Sequence, residues 1–176
     1  MRVLFVTTLL VALVLPSGYT SASPSSGNSA EELPTFGEAA AARQIEISKI
    51  DLPTLQTQAA QGNADAQYRL GDLYSFGDLV PQDDKKAAQW FEKAAAQGHG
   101  GAQNDLGVLY EYGQGVPRDS LRAYMWFSLS EARSMGKSKK YAAINLGFLT
   151  HRLTPAQIAE AKRLAQRCQA QQFKGC

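Results

Sequence analysis

The sequence is poor in the residues that usually announce chemistry. Of its 176 residues only two are histidine, His99 and His151, about 50 positions apart, and only two are cysteine, Cys168 and Cys176. A metal centre or an acid–base pair needs convergent partners, and neither histidine has them at a productive spacing. Both fall in expected connections between helices, where a surface-loop position accounts for them. Two cysteines cannot form a multi-bridge framework, and their separation of eight is wider than that of a redox pair with two residues between. A net charge of only +2 argues against nucleic acid as a partner. No catalytic set, cofactor site or metal site is expected, and Asp83, Asp84 and Asp119 read as helix-start residues rather than catalytic carboxylates.

The one long apolar run lies at the start. Arg2 is followed by apolar residues from Val3 to Leu15, then Pro16, Gly18 and the small residues Thr20-Ser21-Ala22. Thirteen residues rise about 20 Å as a helix, short of the roughly 20 residues that span a bilayer. The layout is that of a signal peptide over residues 1–22, cleaved near Ala22. The mature chain is then exported, to the periplasm or alternatively into the medium, with no transmembrane segment left. No cysteine near the cleavage point offers a lipid anchor. Residues 23–35, Ser-rich with Pro24 and Gly27, read as a disordered linker. In an oxidising compartment Cys168 and Cys176 read as a disulfide. In the chain-entropy model so short a ring contributes about 2.5 kcal/mol, as a clip against fraying of the last helix.

What the chain does have is an echo at 36 positions. Ala66 meets Ala102, Leu70-Gly71 meets Leu106-Gly107, Tyr74 meets Tyr110, Val80-Pro81 meets Val116-Pro117, and Trp90-Phe91 meets Trp126-Phe127. Small residues, turn residues and aromatics stay in step together, the mark of a solenoid. Ala66, Leu70, Leu73 and Tyr74 share one face of a helix from about Ala64 to Phe76. Pro81 stops continuation, Asp83 caps a second helix with Ala87, Trp90, Phe91 and Ala94 on one face, and Gly98 ends it. The second copy retraces this with Asp119 as cap. Residues 36–62 supply a capping helix and half-repeat, 63–98 repeat 1, 99–136 repeat 2, and 137–176 a degenerate third repeat and capping helix. Between the second and third units the register slips by four, because Leu146-Gly147 lies 40 past Leu106-Gly107. The extra length is expected as a loop around Ser134 to Lys140. Thr154-Pro155-Ala156-Gln157 carries a capping-box pattern that opens the last helix.

The spaced set Ala-x-x-x-Leu-Gly-x-x-Tyr, Gly-x-Gly-Val-x-x-Asp, Ala-x-x-Trp-Phe and Ala-Ala-x-x-Gly resembles the Sel1-like repeat, a relative of the tetratricopeptide repeat, over about Ala59 to Ala132. The resemblance implies an all-α fold, an α/α solenoid winding as a right-handed superhelix, and binding of other proteins or peptides rather than catalysis. Two departures stand out. Repeat 1 has Gly77-Asp78-Leu79 where the pattern has Gly-x-Gly, with Asp78 expected to supply the adaptability. Repeat 2 ends in Ser130-Glu131-Ala132-Arg133-Ser134, so its second helix is expected to be longer.

Opposite the core stripe of the first helices lie Tyr68 and Asp72 in repeat 1 and Asn104 and Val108 in repeat 2. In related solenoids these helices line the groove, so the four are candidates for a peptide-binding surface; inter-repeat packing is the competing explanation for Tyr68 and Val108. Charge offers a second surface. From Ser23 to Asp119 there are 7 basic and 14 acidic residues; from Ser120 to Cys176 there are 10 basic and 2 acidic. Lys137, Lys139, Lys140, Arg152, Lys162 and Arg163 are candidates for attracting an acidic partner, or they are a solvated cap surface. The function expected is a non-catalytic scaffold of the cell envelope. One alternative is an envelope enzyme of the penicillin-recognising, β-lactamase-like type, from the Ser-x-x-Lys spacing of Ser134-Met135-Gly136-Lys137, although its companion motifs are missing. Another is an accessory subunit of a larger envelope complex.

Overall fold

The computed structural model describes residues 36–173 and 175–176, so the expected signal peptide and the linker lie outside the described residues. Eight helices and no strand occur among them. The first two are α1 (Phe36–Ser48) and α2 (Leu52–Ala60). Two helical hairpins follow, α3 (Ala64–Phe76) with α4 (Asp84–Ala95), and α5 (Gly100–Tyr112) with α6 (Ser120–Arg133). The chain closes with α7 (Gly136–Thr150) and α8 (Pro155–Ala170).

The caps repeat as the sequence does. Asn63 Oδ1 accepts from Ala66 N at 2.9 Å to open α3, and His99 Nδ1 accepts from Ala102 N at 3.0 Å to open α5. Asp83 accepts from Lys86 N, and Asp119 from Leu121 N and Arg122 N, opening α4 and α6. Each cap answers one of the amide groups that a helix start leaves without an internal partner. Thr154 and Gln157 form the full capping box of α8. The first helices end on left-handed glycines, Gly77 at φ 76° and Gly113 at φ 72°.

From α2 to α7 consecutive helices pack on one another, and α6 is the hub against which α5, α7 and α8 all lie. Close approach depends on the small residues of the echo. A Cβ on Gly71 would fall 2.6 Å from the Phe91 ring, and one on Gly107 would fall 2.7 Å from the Phe127 ring. Size alternation thus sets the hairpin spacing. A buried polar contact sets the register between units. Gln67 Nε2 donates to Ala59 O at 3.0 Å, and 36 residues on Gln103 Nε2 donates to Ala95 O at 3.2 Å. Each glutamine reaches back to the end of the preceding helix and satisfies a carbonyl there. The third unit carries neither device: the position answering to Gln103 is Ala143, which is exposed, and a Cβ on Gly147 would meet nothing within 4 Å.

Three expectations are corrected. The left-handed residue of the repeat 1 turn is Leu79 at φ 59°, which occupies the place of Gly115 at φ 70° in repeat 2. Asp78 instead accepts from Arg43, from Nε at 3.0 Å and Nη2 at 2.6 Å, because it can tie α1 to the end of α3. The segment from Ser134 to Lys140 is not a loop: only Ser134 and Met135 are extended, and α7 begins at Gly136. The four-residue slip is absorbed at the start of α7: Gly136 lies 36 residues past Gly100 at the start of α5, but Leu146 lies 40 past Leu106, so four extra helical residues precede it. His99 is not a surface-loop residue; its cap bond and its stack on Tyr68, with ring centroids 4.4 Å apart, hold it half-buried.

At the C-terminus Cys168 is bonded to Cys176. The ring between them does more than stop fraying. It turns through left-handed Gln172 and Phe173, and Phe173 is buried in the core beneath Arg133.

Candidate partner-binding groove

Two cavities lie side by side along the first helices. The first, about 670 Å³, is lined by Arg43 of α1, Tyr68 and Asp72 of α3, Asp105 and Val108 of α5, and Tyr141 of α7, among others. The second, about 410 Å³, lies between α5 and α7, with Val108, Tyr112, Phe127, Phe148 and Leu149 on its walls together with the polar Glu111, Asn145 and Arg152. Val108 lines both, so the two adjoin at that residue. Four large aromatics stand exposed around it: Phe76 at 61%, Tyr112 at 71%, Tyr141 at 55% and Phe148 at 68%. Exposed rings grouped in this way are unusual on a surface that meets only water.

Tyr68 leans on the core, its ring 5.8 Å from that of Phe91. Burial, reinforced by Asp105 and Asp72, pushes its hydroxyl well above the usual tyrosine range, so it remains a neutral donor. Burial also raises the Asp105 carboxyl, against the hydrogen bonds from Asn104 and Tyr68 that favour the charged form. Asp72 is raised by burial too, opposed by Arg43 and assisted by Asp78.

Of the four groove candidates, Tyr68, Asp72 and Val108 share the first cavity. Asn104 does not join them. It is buried, donates to Asp105 Oδ1 at 2.9 Å and accepts from Asn145 Nδ2 at 3.1 Å, so it ties α5 to α7. Nearby, Glu111 is a buried carboxylate that accepts from Ser120 Oγ at 2.8 Å and pairs with Arg118 and Arg152. It joins the end of α5 to the start of α6 and the end of α7.

The six basic candidates lie on α7, on α8 and in the turn between them. Lys137, Lys139 and Lys140 are exposed on the first turns of α7, whereas Arg152 is engaged by Glu111 beyond its other end, roughly 20 Å away by helical rise. Lys162 and Arg163 lie on α8, where Arg163 pairs with Glu160. Ser134 and Lys137 are likewise apart in the backbone. Ser134 ends α6 in extended conformation, its hydroxyl 3.4 Å from that of Ser130, and Lys137 belongs to the next helix. Penicillin-recognising chemistry needs the two on one helical turn.

The sequence reading passed over Arg43, Asp105, Tyr112, Tyr141 and Phe148. One signal was available: the 36-residue echo pairs Phe76 with Tyr112, both aromatic and both at the last position of a first helix. At 100° per residue that position lies roughly 100° off the core stripe, which leaves both rings exposed.

Known proteins agree with this architecture. The Sel1 repeat model matches residues 64–99 and 101–133. No curated protein matches. The crystal structure of a protective antigen present in uropathogenic Escherichia coli strains, displaying an SLR fold, is 32% identical at a TM-score of 0.61. That alignment covers 68% of this chain and 26% of the other. A Sel1 repeat protein from Oxalobacter formigenes is 31% identical at a TM-score of 0.53, covering 64% of this chain and 45% of that one. The chain therefore spans less than half the length of either structure.

Proposed function

Two Sel1 repeats make this chain a Sel1-repeat protein, and on that premise we propose that it is a non-catalytic scaffold of the cell envelope that holds a protein partner in the depression along α3, α5 and α7. The observation that carries the reading is the meeting of the two cavities at Val108 with exposed aromatics around them. Rigid rings that are already out of the core lose little entropy when a partner covers them, which is why aromatic anchors dominate protein interfaces. The solenoid supplies the rigidity, since capped helices on both sides hold the rings in place.

Location follows from different features. The apolar N-terminal run supports export, and the cysteine pair suits an oxidising compartment. No helix among the described residues is long and apolar enough to cross a membrane. A mature N-terminus at Ser23, read by sequencing the purified cellular protein, is the expected result; an intact Met1 in the cytoplasmic fraction would remove the envelope from the proposal.

The groove is tested by photo-crosslinking in cells, with a benzophenone amino acid placed at Tyr112, Phe148 or, as a control, the exposed Ala132 on α6. Discrete adducts are expected from the first two positions alone. Adducts of equal yield from Ala132, or none from Tyr112 and Phe148, would sink the assignment of this face.

A further inference from the structure

The first cavity carries a charge imbalance. Asp72 and Asp105 both line it, and Asp78 stands close enough to Asp72 to raise its pKa. Arg43 is the lining cation, and its single guanidinium is shared: it bonds Asp78 through Nε and Nη2 and pairs with Asp72 through Nη1 at 3.6 Å. Among the described residues Asp105 receives only neutral donors, Asn104 Nδ2 and the Tyr68 hydroxyl. No ion pair among the described residues reaches it, and Tyr141 on the facing helix brings a ring rather than a charge. The depression thus has an electronegative half walled by tyrosine rings and, past Val108, a half where Tyr112, Phe148 and Leu149 supply apolar wall and the Glu111 and Arg152 charges pair with each other.

Resting on the scaffold reading above, we propose that the occupant is a segment of another protein that presents a lysine or arginine beside a large apolar side chain. The cation lies between Asp72 and Asp105 against the Tyr68 and Tyr141 rings, where carboxylates and π-faces both favour it. The apolar neighbour fills the space between Val108 and Phe148. This chain's own segment at 23–35 has the wrong sign, since it holds Glu31 and Glu32 and no basic residue. The Coulomb term also fixes a direction of specificity: an acidic segment meets like charge and is rejected.

The test is anisotropy with the purified chain and two pools of fluorescent decapeptides, identical except that arginine or glutamate is fixed beside a fixed phenylalanine. The arginine pool is expected to bind roughly tenfold more tightly. Asp72→Asn and Asp105→Asn should each lower that preference by roughly threefold or more, with Lys162→Gln on α8 leaving it unchanged. If Asp105→Asn fails to fold, as judged by its melting curve, Asp72→Asn at its more exposed position carries the test. Equal binding of both pools, or preference for glutamate, overturns the basic-segment inference and leaves the groove standing. Binding of neither pool, or binding indifferent to Tyr112→Ser with Phe148→Ser, overturns the groove itself. A concentration-dependent dimer that Asp72→Asn dissolves would make a second copy the occupant and overturn the inference in that way.

Discussion

Trp90 and Trp126 stand 36 residues apart in the same sequence context and meet different surroundings. Trp90 is partly buried beside the smaller core cluster, with Lys93 Nζ 4.0 Å above its ring. Trp126 is 4% exposed within the larger cluster, which also takes in parts of α8 and the C-terminal ring. Similar contrasts run through the two repeats: Asn63 against His99 as cap, Leu79 against Gly115 in the turn, Ser75 against Glu111 on the last turn of the first helix. Register is shared, and burial is not. Repeat 2 has neighbours on both sides, whereas the element before repeat 1 is the short α2, with α1 tied on largely through Arg43. A repeat sequence therefore specifies a hairpin, and its position in the stack decides how much each side chain contributes.

The largest effect that would sharpen this contrast is at the tryptophans. Trp126→Ala should cost about 3–5 kcal/mol and Trp90→Ala at most about half of that, measured by urea unfolding; equal costs would break the comparison. Next come the turns. A Cβ on Gly115 would lie 2.2 Å from the Asp84 carbonyl oxygen, so Gly115→Ala is expected to lose at least about 2 kcal/mol. Leu79→Gly, which relieves a left-handed leucine already half in water, should range from neutral to a gain of about 1 kcal/mol. A cost similar to that of Gly115→Ala would mean that Leu79 packs in a way its exposure denies.

The glutamines come third. Gln67→Ala and Gln103→Ala each strand a helix-end carbonyl and should cost about 1–2 kcal/mol. Gln67 is the dearer of the two, because its Oε1 also accepts from Gln97 at 2.7 Å, whereas Gln103 Oε1 has no partner among the described residues. The reverse order in equilibrium unfolding would show that burial, complete at Gln103, outweighs bond number.

The smallest effect is a pH slope. Burial holds the His99 imidazole below its ordinary value of 6.5, with Asp65 opposing, and Nδ1 must stay unprotonated to accept from Ala102. The unfolded chain therefore takes the proton first as pH falls. The stability from this group is complete above 6.5 and declines as pH drops through 6.5 towards the lower folded value. His99→Asn places in repeat 2 the cap that repeat 1 already uses, and the difference in stability between pH 7.5 and pH 5.5 should shrink. An unchanged difference would place the titration elsewhere.

Helix positions and caps were legible in the sequence because they are local: Asp83, Asp119 and Thr154 announce themselves within four residues of what they cap. Tyr68, Asp72 and Val108 were legible as a face because periodicity defines faces. Asn104 was not separable from them, since only its contact with Asn145, 41 residues away, shows that it is buried. Arg43, Tyr141 and Phe148 escaped for the same reason. They reach the groove from helices outside the repeat, where no echo marks them. Phe173 was hidden differently, as its burial depends on two left-handed residues inside a ring whose closure the sequence suggests but whose path it does not.

The pair of bonds from Gln67 to Ala59 and from Gln103 to Ala95 bears on how such chains are inherited. Donor and acceptor sit eight residues apart, within less than one period, so any tandem copying of a 36-residue stretch recreates the bond at the new junction without a compensating change elsewhere. A gene can then lengthen by unequal exchange and still encode a chain whose joints are satisfied at birth. Where alanine stands in place of the glutamine, as at Ala143, a copied junction would carry no such bond.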